Sequence, residues 1–266
     1  LEEVRDYARM MLEELRKVIP SFLKRVDIPD RGGVWSDYFQ ENHEAMERIA
    51  ASIDTEPDGI DEVTLVDWDH DAENKIIAAA LYPHLDLPDT QLQAIVNDMS
   101  VADKAEVLRA YAGDRQNRRH KPGRGMERSF YRFDVLSDFG SFRDLQRHRM
   151  MTIDWQRLGV KHGYSTPPAI EEVGWTQRWD DAMGRMSDFH QSVLDEHGSD
   201  VSQYVVPFGF KLRYSMQFNV REAFHMLELR TAQQGHPDYR RVCQIMHSLI
   251  RDKAGHKALA GAMTYV

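Results

Sequence analysis

Two short polar runs hold the residue types best suited to chemistry. Gln146-Arg147-His148-Arg149 packs two guanidinium groups and an imidazole into consecutive positions, and Asn219-Val220-Arg221-Glu222-Ala223-Phe224-His225 follows far downstream. Like charges side by side repel, so a segment that keeps them near Phe142, Leu145 and Met151 is expected to use them on an anion, which guanidinium groups grip with paired hydrogen bonds. The plain alternative for such a cluster is a solvated helix face. Asn219 and Glu222 also have the three-residue spacing of a reciprocal helix N-terminal cap, so the second run has a purely structural reading as well.

The chain has 266 residues, 42% hydrophobic and 29% charged, which is enough apolar material for a large buried core and excludes disorder throughout. A formal charge of -9 argues against a general nucleic-acid coat, so any anion site must be local. Cys243 is the single cysteine, which excludes an intramolecular disulfide framework and a thiolate zinc site and points to a reducing compartment. The apolar run from Ile76 to Tyr82 is far too short to cross a bilayer, and the acidic start is no signal peptide. A cytoplasmic protein with no membrane or nucleic-acid partner is expected. The first residue, Leu1, already stands inside a helical pattern, as in a piece of something longer.

The elements that must position the two runs are legible from periodicity. Val4, Met11, Leu15, Ile19 and Phe22 form an amphipathic helix that Pro29, Gly32 and Gly33 end. Laid over the C-terminal region, Glu3-Val4-Arg5 falls on Asp238-Tyr239-Arg240, Ala8 on Cys243, Met11 on Met246 and Leu15 on Ile250. Either these are two unrelated amphipathic helices, or a unit is duplicated in tandem. On the second reading, residues 1–30 are the terminal helix of a preceding unit plus a linker, and 31–266 form the domain proper.

Within that domain, Ser36 and Asp37 start a helix to about Ala51, Asp54 to Gly59 reads as a loop, Val63–Val66 as a strand and Ala72–Tyr82 as the helix after it. Asp67, Asp69, His70 and Asp71 imitate a calcium loop, but Ala72 and Ala78 stand where the turn glycine and closing acid belong. An acidic helix start is the better account. Helices follow over Asp89–Met99 and Ser100–Ala112, with Gly113 as the stop. Arg115 to Arg128 is a basic loop, either a phosphate grip or an exposed flexible connection. Ser129–Leu136 alternates as a strand, and Gly140 and Ser141 open a helix that carries Arg147, His148 and Arg149, with Arg143 and Arg147 on one face. Trp175–His197 is a core helix ended by Gly198, Phe208–Phe218 a strand, and the helix after Asn219 shows one stripe of Phe224, Leu227 and Thr231 and another of Arg221, His225 and Glu228.

Together these residues resemble the flavin-dependent, or alternative, thymidylate synthases. The resemblance runs from about Asp61 to Val266 and rests on Glu127, the Arg147-His148-Arg149 signature, Pro207, and the series Asn219, Arg221, His225, Leu229 and Arg230. It implies an α/β (α+β) fold, a mixed sheet flanked by helices, assembled as a homotetramer or a dimer of tandem units. It further implies FAD held by Glu127, Arg147, His148, Arg149, Asn219, Arg221 and His225, with Arg147 and Arg221 meeting at the flavin diphosphate, and a uracil nucleotide touched by Arg230. The implied chemistry is reductive methylation of dUMP at C5, with methylenetetrahydrofolate as carbon donor and flavin reduced by NADPH. Neither a cysteine nucleophile nor a metal is called for, and Cys243 is expected to pack rather than react.

The chain departs from the family where the nucleotide phosphate is held. A serine, an arginine and a second arginine of the family pattern are replaced by Arg157, Gly159 and Gln203. Each lost charge-assisted bond is worth roughly 1.5–3 kcal/mol. Two functions therefore stand side by side. One is an enzyme acting on dUMP or a related uracil nucleotide, its site rebuilt by Arg157, Arg143 or the basic loop. The other is a non-catalytic degenerate unit that keeps the fold, and flavin binding with it, and supports another unit's site.

Overall fold

Alternating apolar positions build one sheet, and every helix that positions the two polar runs is attached to it. The computed structural model describes residues 2–32, 34–55 and 61–266, and the chain divides into Leu1–Gly59 and Ile60–Val266. That division falls after the helix expected from Ser36, not at the Gly32-Gly33 break. Gly33 and the loop expected over Asp54–Gly59, from residue 56 onward, lie outside the described residues.

In the larger unit, strands β1 (Val63–Trp68), β2 (Phe130–Asp138), β3 (Met151–Trp155) and β4 (Lys211–Asn219) form an antiparallel sheet in the order β1-β2-β4-β3. On β2, Tyr131, Phe133 and Val135 are buried, and on β4, Leu212, Tyr214, Met216 and Phe218 are buried; the residues between them face the other way. This two-residue period fixes the register, because a one-residue slip would turn the whole apolar set outward. Phe133 pairs with Met216 and Tyr131 with Phe218, and the Phe133 and Phe218 rings stack at 5.6 Å.

Helices cover the apolar face. α4 (Ala72–Leu81) sinks Ile76, Ile77 and Ala78 into the core, and α5 (Asp89–Asp98) and α6 (Val101–Ala112) pack beside it. Ser100 caps α6 by accepting from the Asp103 amide at 3.2 Å, and Gly113, at φ +73°, ends it in the left-handed region that favours glycine. α7 (Phe139–Leu145) follows β2, capped by Asp138, whose Oδ1 accepts from the Ser141 amide at 2.8 Å. After β3 come α8 (Pro168–Glu172) and the long α9 (Thr176–Ser202), whose helical geometry breaks at Gly198, φ +82°. Met183 of α9 joins Val206 and Phe210 in a second, small core. α10 (Val220–Arg230), α11 (Pro237–Asp252) and α12 (Lys257–Ala262) complete the unit, with Val242, Cys243, Met246 and Ile250 of α11 buried.

The smaller unit contains α1 (Glu2–Val18), α2 (Pro20–Leu23) and α3 (Val34–Ala50), and none of its described side chains is buried. The expected α/β architecture of a sheet flanked by helices is formed, but the sheet is antiparallel at every pairing rather than mixed. β3 was not anticipated, although Met151, Ile153 and Trp155 alternate with Thr152 and Asp154: it is only five residues long and directly follows the basic run that continues a helical pattern. The acidic run is a helix start as read: Asp69 accepts from Lys75 at 2.8 Å and from the Asp71 amide at 3.1 Å, while Asp67 turns to Arg132 at 3.3 Å.

Candidate functional site

The Arg147-His148-Arg149 signature stands on a turn, not on the expected helix. α7 stops at Leu145, with the Gln146 amide bonded to the Phe142 carbonyl, and the chain then runs through 146–150 into β3. Leaving helical geometry lets neighbouring side chains diverge. Arg147 and Arg149 are exposed, and His148 is driven inward to 3% side-chain exposure.

His148 is the centre of a buried polar chain. Its Nδ1 lies 2.8 Å from Glu222 Oε1, and its Nε2 accepts from Arg230 Nε at 3.0 Å. Arg230 in turn donates to Asp144 Oδ1 at 3.2 Å and to the Asp144 carbonyl at 2.5 Å, and its guanidinium lies over the Tyr239 ring at 5.4 Å. A guanidinium only donates, so the His148 proton belongs on Nδ1, where it is given to Glu222. Asn219 caps α10 as expected, accepting from the Glu222 amide at 2.8 Å, but the Glu222 carboxylate turns to His148 rather than completing the reciprocal cap.

His148, Glu222 and His225 bring ligand-type atoms within 4.8 Å of one another, a set able to hold a metal by composition. The Arg230 bond on Nε2 leaves Nδ1 protonated, the wrong state for a ligand, and the cluster reads as a hydrogen-bonded pair with His225 alongside, ring to ring at 5.2 Å. Burial lowers the pKa of His225; Glu222 opposes this, and Lys121, His148 and Arg118 reinforce it.

Two cavities flank this chain. The first, of about 520 Å³, lies between α7 and the start of α11; its cations are Arg143 and Arg147, and its aromatic walls are Trp179, Phe208 and Tyr239. Gly209 admits Trp179 to this wall, since a Cβ there would stand 3.1 Å from the indole. The second, of about 200 Å³, is lined by Lys121, Glu127, Met150, Asn219, Arg221, Glu222 and His225. Arg147 and Arg221 thus line separate cavities of this chain, and the expected meeting of the two at one diphosphate does not occur within it. Arg143 and Arg147 still share a cavity, although the helix that was to align them ends between them. Arg149 and Arg157 line neither cavity, and Arg230 sits in the wall between them.

Glu127 rides a short 3₁₀ turn (Arg124–Arg128), accepting from Arg124 Nε at 3.2 Å and Arg221 Nη1 at 3.3 Å. The hydrogen bond from Arg124 is the main cause holding its carboxyl below the usual range, against a small cost of burial. Arg221 also donates to the Pro122 carbonyl at 3.1 Å, so it braces the basic loop. That loop is anchored by Arg115, which pairs with Glu228 at 2.5 Å and lies between the rings of Phe224 and Tyr265. Glu228 therefore points away from the stripe expected to unite it with Arg221 and His225.

Two of the three departures form a structural staple. Arg157 donates to Ser199 Oγ at 2.9 Å and reaches Asp200 at 3.4 Å, and Gln203 Oε1 accepts from the neighbouring Leu158 amide at 3.1 Å. Sequence reasoning did not find Asp144, Trp179, Phe208 or Tyr239 as site residues, because their spacing is that of ordinary helix and core positions. The carboxylate role of Glu222 was hidden by its fit to a cap.

Residues 64–254 match the model of the thymidylate synthase complementing protein family, Thy1. The chain belongs to that family. Among its curated relatives are UPF0159 proteins of Chlamydia pneumoniae, 33% identical over 245 residues, and Chlamydia muridarum, 34% over 245 residues; each alignment covers 91% of this chain and 46% of the relative. A UPF0159 protein of Thermoplasma acidophilum is 30% identical over 224 residues, covering 82% and 44%. The chain thus spans about half the length of these curated relatives.

Among solved structures, the UMP/dUMP methylase PolB of Streptomyces cacaoi bound with 5-Br dUMP aligns with TM-score 0.55 at 17% identity, over 75% of this chain and 94% of that one. The flavin-dependent thymidylate synthase ThyX of Helicobacter pylori, complexed with FAD and dUMP, aligns with TM-score 0.52 at 14% identity, over 71% and 93%. At such identities the likeness establishes the fold, which is the flavin-dependent thymidylate synthase fold expected from the signature residues. No helix among the described residues is long and apolar enough to cross a membrane.

Proposed function

We propose that this Thy1 protein methylates C5 of dUMP or a related uracil nucleotide reductively, binding FAD and using methylenetetrahydrofolate and NADPH as co-substrates. The observation that carries the reading is the first cavity. Its volume of about 520 Å³ falls in the range of roughly 300–1,000 Å³ usual for ligand sites. Trp179, Phe208 and Tyr239 offer faces for a planar base, and Arg143 and Arg147 offer cations for a phosphate. These two arginines, rather than Arg157, take the anionic end in this reading.

The second cavity fits part of a dinucleotide. Arg221, Lys121, Asn219 and His225 suit a diphosphate, while about 200 Å³ is too small for a whole FAD, so one chain supplies one wall of such a site. Bound there, flavin would supply the hydride that reduces the transferred one-carbon unit. The chain's own residues bind, orient and exclude water. Completing both walls calls for an assembly, either a homotetramer or a dimer of tandem units in the cytoplasm. A tandem origin for residues 1–30 has one physical support: Met11 and Leu15 are exposed at 63% and 41%, whereas Met246 and Ile250, on which they align, are fully buried.

A second reading has its own observation. Arg157 and Gln203 are spent on Ser199, Asp200 and Leu158, which favours a degenerate unit that keeps the fold without the reaction. The purified protein decides between them. Retained yellow flavin with a dUMP titration response and tritium release from C5-labelled dUMP supports the enzyme; tight flavin with no nucleotide response supports the degenerate unit. Absence of release in the presence of both ligands rejects the enzyme for this chain. Arg221→Ala is expected to abolish flavin retention and Arg147→Ala to weaken the dUMP response, and unchanged retention in Arg221→Ala would displace the flavin site from this wall.

A further inference from the structure

The polar chain Asp144–Arg230–His148–Glu222 begins in the wall of one cavity and ends in the wall of the other. Asp144 lines the first cavity and Glu222 the second, and the links between them measure 3.2, 3.0 and 2.8 Å. We propose that Glu222 and His148 are positioning residues that lock the Arg230 guanidinium between the two cavities, so that filling one cavity alters the affinity of the other. The inference rests on the reading above, in which the first cavity takes a uracil nucleotide and the second a flavin.

Three properties of the chain give it this capacity. Three of its four members are withdrawn from water, with side-chain exposures of 3% for His148, 7% for Glu222 and 13% for Arg230, while Asp144 at 35% is the end open to a ligand. Breaking either link of His148 would strand a charged or polar group without solvent to replace its partner, so those two links move together. The donor and acceptor senses are also fixed. Arg230 gives a proton at both of its contacts, and Glu222 only accepts, so no member can reverse as a hydroxyl could. Finally, the two middle members also touch groups a ligand would meet. Arg230 is seated on Tyr239, which lines the first cavity, and His148 lies against the ring of His225, which lines the second. A ligand drawing on Asp144 or Tyr239 shifts the guanidinium, and the shift reaches Glu222 through a single imidazole.

Such linkage is reciprocal for binding free energies. In the full chain, the Kd for FAD measured with and without saturating dUMP should change by about fivefold or more, and the Kd for dUMP should change by the same factor when FAD is added. Glu222→Ala is expected to bring that factor to near one, whereas Glu222→Gln, whose amide oxygen still accepts from Nδ1–H, retains most of it. Arg230→Lys keeps the charge, loses the Nε donor and also uncouples. Nitrogen-15 NMR of histidine-labelled wild-type protein reads the same arrangement without ligand or mutation: His148 is expected neutral with its proton on Nδ1, and a proton on Nε2 overturns the proposal. Coupling that is absent from the wild type, or that survives Glu222→Ala undiminished, overturns it too, while leaving the ligand assignment intact. If neither FAD nor dUMP binds, the assignment fails and takes the coupling with it.

Discussion

Arg115 and Glu228 close a doubly hydrogen-bonded ion pair with side-chain exposures of only 4% and 1%, across 113 residues of sequence. The pair fixes the start of the basic loop to α10, and Arg115 also donates to the Ala262 carbonyl at 3.1 Å. Removing one partner leaves an uncompensated buried charge, so Arg115→Met is expected to cost about 3–5 kcal/mol in urea unfolding. Arg115→Met with Glu228→Met should recover most of that loss. A double variant as unstable as the single one would place the stabilisation in the surrounding packing instead.

A histidine against the apolar face of the sheet gives a pH prediction. Burial holds His256 below the ordinary histidine value of 6.5, with Asp69 opposing and His70 assisting, while its Nδ1 lies 2.9 Å from the Tyr131 hydroxyl. The unfolded chain therefore takes up this proton at a higher pH than the folded one. The contribution is present above 6.5 and is lost as pH falls toward the folded value. Glu73 runs the other way, because burial raises its carboxyl and acid favours its folded form. Comparing the wild type with His256→Gln isolates the histidine: the stability gap between them should narrow on acidification below 6.5, by at most about 1.4 kcal/mol per pH unit. A gap independent of pH would show that His256 titrates alike in both states.

Cys243 is fully buried on α11, and burial pushes its thiol up to about 12. The thiolate is the reactive form, so the native protein should be inert to an aromatic disulfide reagent and become fully reactive only in denaturant. Rapid labelling of the native protein would mean that α11 opens locally.

Reversing the three departures tests whether positions outside the walls of the first cavity still reach the phosphate of a bound nucleotide. Gly159 has no atom within 4 Å of where a Cβ would stand, so an arginine can be introduced there without a clash. Arg157→Ser, Gly159→Arg and Gln203→Arg together should tighten dUMP binding at least about tenfold in calorimetry, since each charge-assisted bond is worth roughly 1.5–3 kcal/mol. Uridine, which lacks the phosphate, should gain nothing. Equal gains for both ligands would mean that the variants act on cavity shape.

The core was legible because burial imposes a period. Tyr131, Phe133 and Val135 alternate, and Ile76 to Ala80 is apolar throughout, so the strand and helix could be placed from those residues alone. The caps at Ser100 and Asn219 were equally readable, since a side-chain acceptor three residues ahead of an amide is local chemistry. The turn at 146–150 was not, because Phe142, Leu145 and Arg147 continue a helical pattern that tertiary packing cuts short. The partners of Arg230 and Arg115 lie 82 and 113 residues away, and no local spacing encodes which carboxylate or imidazole a guanidinium will find.

β4 is nine residues long, hydrogen-bonded along one edge to β2 and along the other to β3. Phe208 and Gly209, just before it, wall the first cavity, and Asn219, its last residue, walls the second. The strand works as a ruler of roughly 30 Å, at about 3.4 Å per residue. Clamped on both sides, it can neither stretch nor slide. Any breathing that brings one ligand closer to the other has to come from α7 and α11, so rigidifying those two helices would freeze the spacing between the chambers.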